Sequence, residues 1–275
     1  MTRQTTAARL VHPVPDHGAA PIRLQPLPPA CAACRVSGLC LPTGLPVDDS
    51  QCLGALIGPR IRIHKGAPLF NANDPLTTLY AVRCGSFKTN LNNAEGQGVV
   101  INFWMPGDVL GLDAIATEHH VCDAIALEDS EVCPIPYRRL QALARDFPVL
   151  QQSLNRLMSR EIVREHERVL MLCNLTAEER LANFLIDLSR CFVDRGYSAQ
   201  SFILRMSRED MASYLGLRLE TVCRSVARLR AQGIVNLQGR LVEILDMTAL
   251  RALEQGVGDI DRKSGPKPPD HLPPG

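Results

Sequence analysis

From about residue 55 to 140 the chain alternates short apolar runs with glycine and proline: IRIHKGAPLF, LYAVRCGSFKTNL, QGVVINFWMPGDVLG and CDAIALEDSEVCPIP. Runs this short, interrupted this often, predict strands joined by turns and closed into an antiparallel roll or barrel. The stretch Asn92 to Gly98 (NNAEGQG) reads as a hairpin turn. Between Leu150 and Leu172 the interruptions stop. There the apolar positions Met158, Ile162, Val169 and Leu172 follow a heptad, with Glu165 at the intervening seam position. Such a seam is buried only when a second helix faces it, so the segment predicts a homodimer.

A helix follows in TAEERLANFLIDLSRCF, opened by a capping box of Thr176 and Glu179. Ser207, with Asp210 as its capping partner, begins the first helix of a helix-turn-helix; Gly216 lies at the turn. The second helix should run from about Arg218 to Gln232, with Leu219 and Val222 as apolar anchors. Its first turn places Glu220, Cys223 and Arg224 on one face, the part of such a motif that meets base edges. Arginine grips guanine O6 and N7, and glutamate accepts from cytosine N4. VNLQGRLVEIL, turning at Gln238-Gly239, predicts a small hairpin that serves as a wing.

These elements define an α+β chain: a β-roll over 55–148, a dimerisation helix over 149–175 and a winged helix-turn-helix over 176–252. Residues 1–30, rich in proline (Pro13, Pro15, Pro21, Pro26, Pro28, Pro29), are expected to be a flexible arm, and 253–275 a disordered tail.

A length of 275 residues suits two cores, and the net charge of +1 leaves nucleic-acid contact to a local patch. That patch is the run with Arg218, Arg224, Arg228 and Arg230, on the predicted reading helix. No apolar run reaches the ~18 residues needed to span a bilayer. The beginning MTRQTTAARLVHPVPDHGAA lacks the apolar stretch of a secretory signal, which predicts a cytoplasmic protein with reduced thiols. Nothing assembles a nucleophile, base and orienting group, so no enzyme is expected.

Ten cysteines are many for such a chain, and three of them, Cys31, Cys34 and Cys40, crowd the segment 31–54 as C-x2-C-x5-C. Thiolates are soft, strong ligands, and C-x2-C directs two sulfurs to one metal. A tetrahedral zinc ion or a cubane cluster needs a fourth ligand. Spacing leaves Cys52, Cys84, Cys122, Cys133, Cys173, Cys191, Cys223, His119 and His120 open. The adjacent His119-His120 pair reads more readily as solvated turn residues than as a haem or zinc site.

CAACRVSGLCLP, LFNANDPLTTLYAVRCGSFK, GDVLGLDAIATEHH, EVCPIP, RLMSREI, AEERLANFLIDLSR and YLGLRLETVCR together resemble the FNR-type oxygen sensors of the CRP/FNR superfamily, over about residues 31–250. The resemblance implies a cyclic-nucleotide-binding-like β-roll, a dimerisation helix and a winged helix-turn-helix. It also implies an oxygen-labile [4Fe–4S] cluster on Cys31, Cys34, Cys40 and Cys133, the last matching the family's fourth ligand before an Ile-Pro segment; zinc on the same thiolates is the alternative. Cys122 stands one strand-length too early for that motif. Met158, Ile162, Glu165 and Val169 match the family's dimer switch, in which an acidic residue keeps the cluster-free form monomeric.

Glu220, Cys223 and Arg224 match an E-x-x-S-R reading motif for TTGAT-type inverted repeats in double-stranded DNA; RNA polymerase is the expected partner, and the turn near Gly96 is a candidate surface for it. Two departures stand out. Arg35 replaces a small polar residue beside the cluster, and Cys223 replaces serine, adding an oxidisable thiol at the DNA contact. Residues 119–123, His-His-Val-Cys-Asp, lack the arginine-serine pair of cyclic-nucleotide receptors, so cyclic AMP is not expected.

Overall fold

The computed structural model describes residues 34–41, 56–92 and 98–255. The arm 1–30, Cys31, Cys52, residues 93–97 around Gly96 and the end 256–275 lie outside the described residues. Among the described residues no helix is long and apolar enough to cross a membrane.

Eight strands form the roll: β1 (Ile61–Ile63), β2 (Pro68–Phe70), β3 (Thr78–Cys84), β4 (Phe87–Asn92), β5 (Gly98–Trp104), β6 (Val109–Leu110), β7 (Asp123–Ala126) and β8 (Ser130–Pro136). They pair into two four-stranded sheets, β1-β8-β3-β6 and β2-β7-β4-β5. Asn92 pairs with Gly98, so the expected hairpin closes there. Strands this short bury alternate side chains, and the deepest, Leu79, Phe87, Leu110 and Ile135, fill the interior.

Leu41, Leu79, Ile135, Leu140, Leu150 and Leu157 belong to one core, Phe70, Phe87, Val132 and Cys122 to another. The segment read above as strand up to residue 140 turns helical at α1 (Tyr137–Asp146). Its buried positions Leu140 and Ala144 recur only once, too briefly to reveal a helix beside an apolar strand.

Pro148 opens α2 (Pro148–Asn174), its fixed φ suiting a first helical turn. The face carrying Leu150, Leu154, Leu157 and Met171 is buried on the chain's own body, while Ile162 and Val169 are 56% and 55% exposed. Leu172, expected on the seam, turns the other way and packs against the carboxy-terminal core.

That second domain contains α3 (Ala177–Asp194), β9 (Ser201–Ile203), α4 (Arg208–Tyr214), α5 (Leu219–Ala231), β10 (Val235–Gln238), β11 (Leu241–Ile244) and α6 (Met247–Gln255). Both predicted capping boxes form, at Thr176/Glu179 and Ser207/Asp210. The wing gains a strand that the pattern did not show: β9 adds to β11, giving the order β10-β11-β9. Three residues with no strand-like run beside them are too few for alternation to register. α6 runs to Gln255, so residues 253–255, read above as tail, are helical, with Leu250 fully buried.

The turn of the helix-turn-helix is tied to the end of α2 by one side chain. Arg180 donates from Nε to the Leu175 carbonyl at 2.9 Å, from Nη1 to Leu215 at 3.0 Å and from Nη2 to Leu172 at 2.9 Å. Gly216 lies just beyond, at φ 62°, where a Cβ would come 3.0 Å from Leu172 Cδ2. Arg180→Ala leaves three carbonyls without that donor. It is expected to cost at least about 4 kcal/mol, since three hydrogen bonds to a charged group contribute roughly 1.5–3 kcal/mol each. A lower urea midpoint with an unchanged m-value checks this.

Candidate functional site

The cysteine segment is a compact turn. Ser37 N donates to the Cys34 carbonyl at 3.1 Å, and Cys40 N donates to Val36 at 3.1 Å. Val36 and Leu41 are buried, Cys34 and Cys40 half-buried, Arg35 exposed. Leu41, at 2% exposure, joins Leu150, Leu154 and Leu157 of α2 in the first roll core, and Cys40 packs at that core's edge.

Cys133 meets the same core from β8, opposite Ala81 of β3. The β3–β8 register shifts between Val82 and Cys84, which leaves Arg83 at a bulge. Its guanidinium donates to Glu131 Oε1 at 2.7 Å. That bond is the main reason the Arg83 pKa is raised.

The structure thus brings Cys34, Cys40 and Cys133 to one region, with Cys31 outside the described residues. No three His, Cys, Asp or Glu side chains converge tightly enough to hold a metal ion among the described residues.

The other candidate ligands lie elsewhere. Cys122 is buried in the second roll core, its thiol 3.5 Å from Asp113 Oδ2. Burial first, then the Asp113 charge, pushes its pKa strongly up, the opposite of what a thiolate ligand needs. Cys84, Cys173 and Cys223 are exposed, and Cys191 belongs to α3. The histidine pair is divided: His119 is exposed, but His120 is 3% exposed and stacked on Phe70 with centroids 3.7 Å apart. The expectation of two solvated histidines is therefore corrected for His120. Backbone bonds to a distant turn help place it there, Asn73 N donating to the His120 carbonyl at 2.7 Å and His120 N to the Asp74 carbonyl at 2.9 Å, and no local pattern shows them.

Along α2, Met158 is half-buried and Ile162, Glu165 and Val169 are exposed. Met158, Ile162 and Glu165 border a groove of about 550 Å³ whose other wall is the roll, with Ile101, Trp104, Leu112 and Ile115. Glu165 lies 3.5 Å from Arg168 Nη1 on its own helix. One turn earlier, burial pushes Glu161 up to about 6, against the pull of Arg164 at 2.8 Å.

The reading helix is where the pattern placed it: α5 spans Leu219–Ala231, with Arg218 and Gln232 as its caps. Val222, Ser225 and Leu229 face inward, and Glu220, Cys223 and Arg224 are exposed. Arg228 is engaged with Glu178 of α3, which leaves Arg224, held only loosely by Thr221 at 3.4 Å, as the more available cation of that face.

A β-roll joined through a long helix to a winged helix-turn-helix defines a DNA-binding transcription regulator, not an enzyme. Residues 60–147 match the family model of the cyclic nucleotide-binding domain, and residues 179–253 that of the Crp-like helix-turn-helix domain. The chain is 40% identical to the transcriptional regulatory protein btr of Bordetella pertussis, over 84% of this chain and 96% of that one. It is also 40% identical to the fumarate and nitrate reduction regulatory protein of Salmonella typhimurium, over 81% and 89% respectively. Among solved structures, FixK2 from Bradyrhizobium japonicum superposes with a TM-score of 0.66 at 28% identity, covering 71% of this chain and 96% of that one. The chain belongs to the CRP/FNR family of transcription regulators, in its FNR-type branch.

Proposed function

We propose that this chain is a cytoplasmic, oxygen-responsive regulator. It dimerises and binds TTGAT-type inverted repeats under anaerobic conditions, controlling genes of anaerobic metabolism together with RNA polymerase. The observation that carries this reading is the shared core: Cys40 and Cys133 border the same apolar cluster, and the amino-terminal half of α2 is part of it. Cys31, Cys34, Cys40 and Cys133 supply four soft donors, suited to a [4Fe–4S] cluster, which when bound provides oxygen-labile chemistry. The relatives' names, which include an anaerobic regulatory protein of Pasteurella multocida and the Salmonella regulator above, point the same way.

Leu41 ties the position of the cysteine loop to Leu150, Leu154 and Leu157, so a change in the loop is felt by α2. The exposed residues Ile162 and Val169, with Met158, are the face a second copy covers. Glu165 opposes that pairing, because two carboxylates meet across a two-fold axis and Arg168 at 3.5 Å offsets only part of the charge. Glu165→Ala is expected to dimerise in air, with dimer affinity raised at least about tenfold. Sedimentation equilibrium in air checks it, and a variant that stays monomeric counts against the switch.

The groove is not read as a nucleotide site, since Asp113 lines it and a carboxylate repels phosphate. Iron and acid-labile sulfide on anaerobically purified protein test the main reading. About four of each per chain, with absorption that bleaches in air, is expected. One zinc per chain and indifference to air would leave a DNA-binding regulator without oxygen sensing.

A further inference from the structure

Met105, Pro106, Gly107 and Asp108 form a tight turn between β5 and β6, closed by Asp108 N donating to the Met105 carbonyl at 3.0 Å. Proline in its second place and glycine at φ 99° in its third are what a type II turn requires. The second half of the turn is also bonded to β3 by two hydrogen bonds. Gly107 N donates to the Val82 carbonyl at 2.8 Å, and Val82 N donates to Asp108 O at 2.9 Å.

Three parts of the molecule converge on this turn. On one side is the cysteine loop: a Cβ built on Gly107 would lie 2.8 Å from Leu39 Cβ and 3.5 Å from Val36 Cβ. Leu39 immediately precedes Cys40. Another side meets the DNA-reading domain. Arg195, at the end of α3, donates from Nε to the Pro106 carbonyl at 2.7 Å and from Nη1 to the Cys191 carbonyl at 2.8 Å. Its Nη2 lies 3.3 Å from Asp108 Oδ2.

The Arg195 side chain is 5% exposed, so it is a buried cation whose ion-pair partner among the described residues is Asp108. The third part is the dimer helix, where Arg164 Nη2 lies 3.8 Å from Asp108 Oδ1 and also pairs with Glu161.

We propose that Asp108 is a positioning residue that makes the placement of the DNA-reading domain depend on the cysteine loop. The loop presses on one side of the turn, and the carboxylate on the other side holds Arg195 of the reading domain and Arg164 of the dimer helix. A shift of Leu39 moves Gly107, whose backbone is too closely packed to absorb it. The paired Asp108 carries that movement to Arg195, because a buried guanidinium follows its counter-charge. This route runs beside the dimer seam and needs no change at Ile162 or Glu165. It rests on the reading of the cysteines as an oxygen-labile ligand set.

The test compares DNA affinity of anaerobic and air-exposed protein for the full-length wild type, Asp108→Asn, Asp108→Glu and Arg195→Gln. Iron content, dimer mass and thermal midpoint are measured on each sample. Asp108→Asn is expected to keep its iron and its dimer mass, yet narrow the anaerobic-to-air affinity ratio about tenfold. Arg195→Gln should narrow it similarly, the double variant no further, and Asp108→Glu should restore most of it. A purely structural role predicts the reverse pattern: both forms weaken together and the ratio stays.

An iron-loaded Asp108→Asn with the wild-type ratio overturns the proposal. So does a double variant whose losses multiply, and, if Asp108→Asn fails to fold, Arg195→Gln with an unchanged ratio does the same. A wild-type chain that holds no iron overturns the cysteine reading and this proposal together, and the metal analysis tells that case apart.

Discussion

Replacing Cys133 by serine is expected to abolish iron loading and to drop anaerobic DNA binding to the nonspecific level, a loss of at least about 10³-fold. Among the described residues, Cys133 is the candidate ligand outside the 31–40 segment that meets the core beside Cys40. A serine hydroxyl is a hard, poorly ionised donor and does not replace a thiolate on iron.

The control is Cys122→Ser. That thiol lies in a separate core beside Asp113, with burial holding it protonated, so the variant should load iron like the wild type. Iron analysis and an anaerobic mobility shift on both variants decide the assignment. Iron retained by Cys133→Ser and lost by Cys122→Ser would reverse it.

Arg224→Ala is expected to weaken specific DNA binding by about 1–3 kcal/mol per half-site. A dimer reads two half-sites, so the total is about 2–6 kcal/mol, or at least about 30-fold. The side chain is exposed on the first turn of α5, and its hydrogen bond to Thr221 at 3.4 Å is easily exchanged for a base edge. Discrimination should relax at the guanine of the half-site, while binding to unrelated sequence changes little.

Arg218, at the helix cap, provides the contrast: a phosphate contact there should lower affinity evenly across sequences and reduce the salt dependence by about one ion per half-site. Equal losses of Arg224→Ala on specific and unrelated DNA would place Arg224 on the backbone instead. Cys223, exposed on the same face, belongs in that experiment, since its oxidation would act on DNA without touching the cysteine loop.

Where a residue's role is local, the sequence was sufficient. The capping boxes at Thr176 and Ser207, the reading helix between Arg218 and Gln232 and the wing turn at Gly239 rest on hydrogen bonds and periodicities within a few residues. A three-residue strand standing apart from other strand-like runs, and a helix joined directly to an apolar strand, escaped that reading, as β9 and α1 did. Leu172 shows another limit. A heptad pattern fixes which residues share a stripe, but not which of two partners each one meets, and here the reading domain takes Leu172 while the open face keeps Val169.

For the candidate site, the C-x2-C-x5-C spacing and the heptad with Glu165 at its centre were legible in the chain alone, because each lies within one continuous segment. That Cys133 borders the core holding Cys40, that His120 is stacked under Phe70, and that Asp108 joins Arg195 to the turn beneath Leu39 were decided only by the tertiary structure. Each of these brings together residues from distant strands or separate domains. Their contact depends on sheet register and domain docking, which no local pattern specifies.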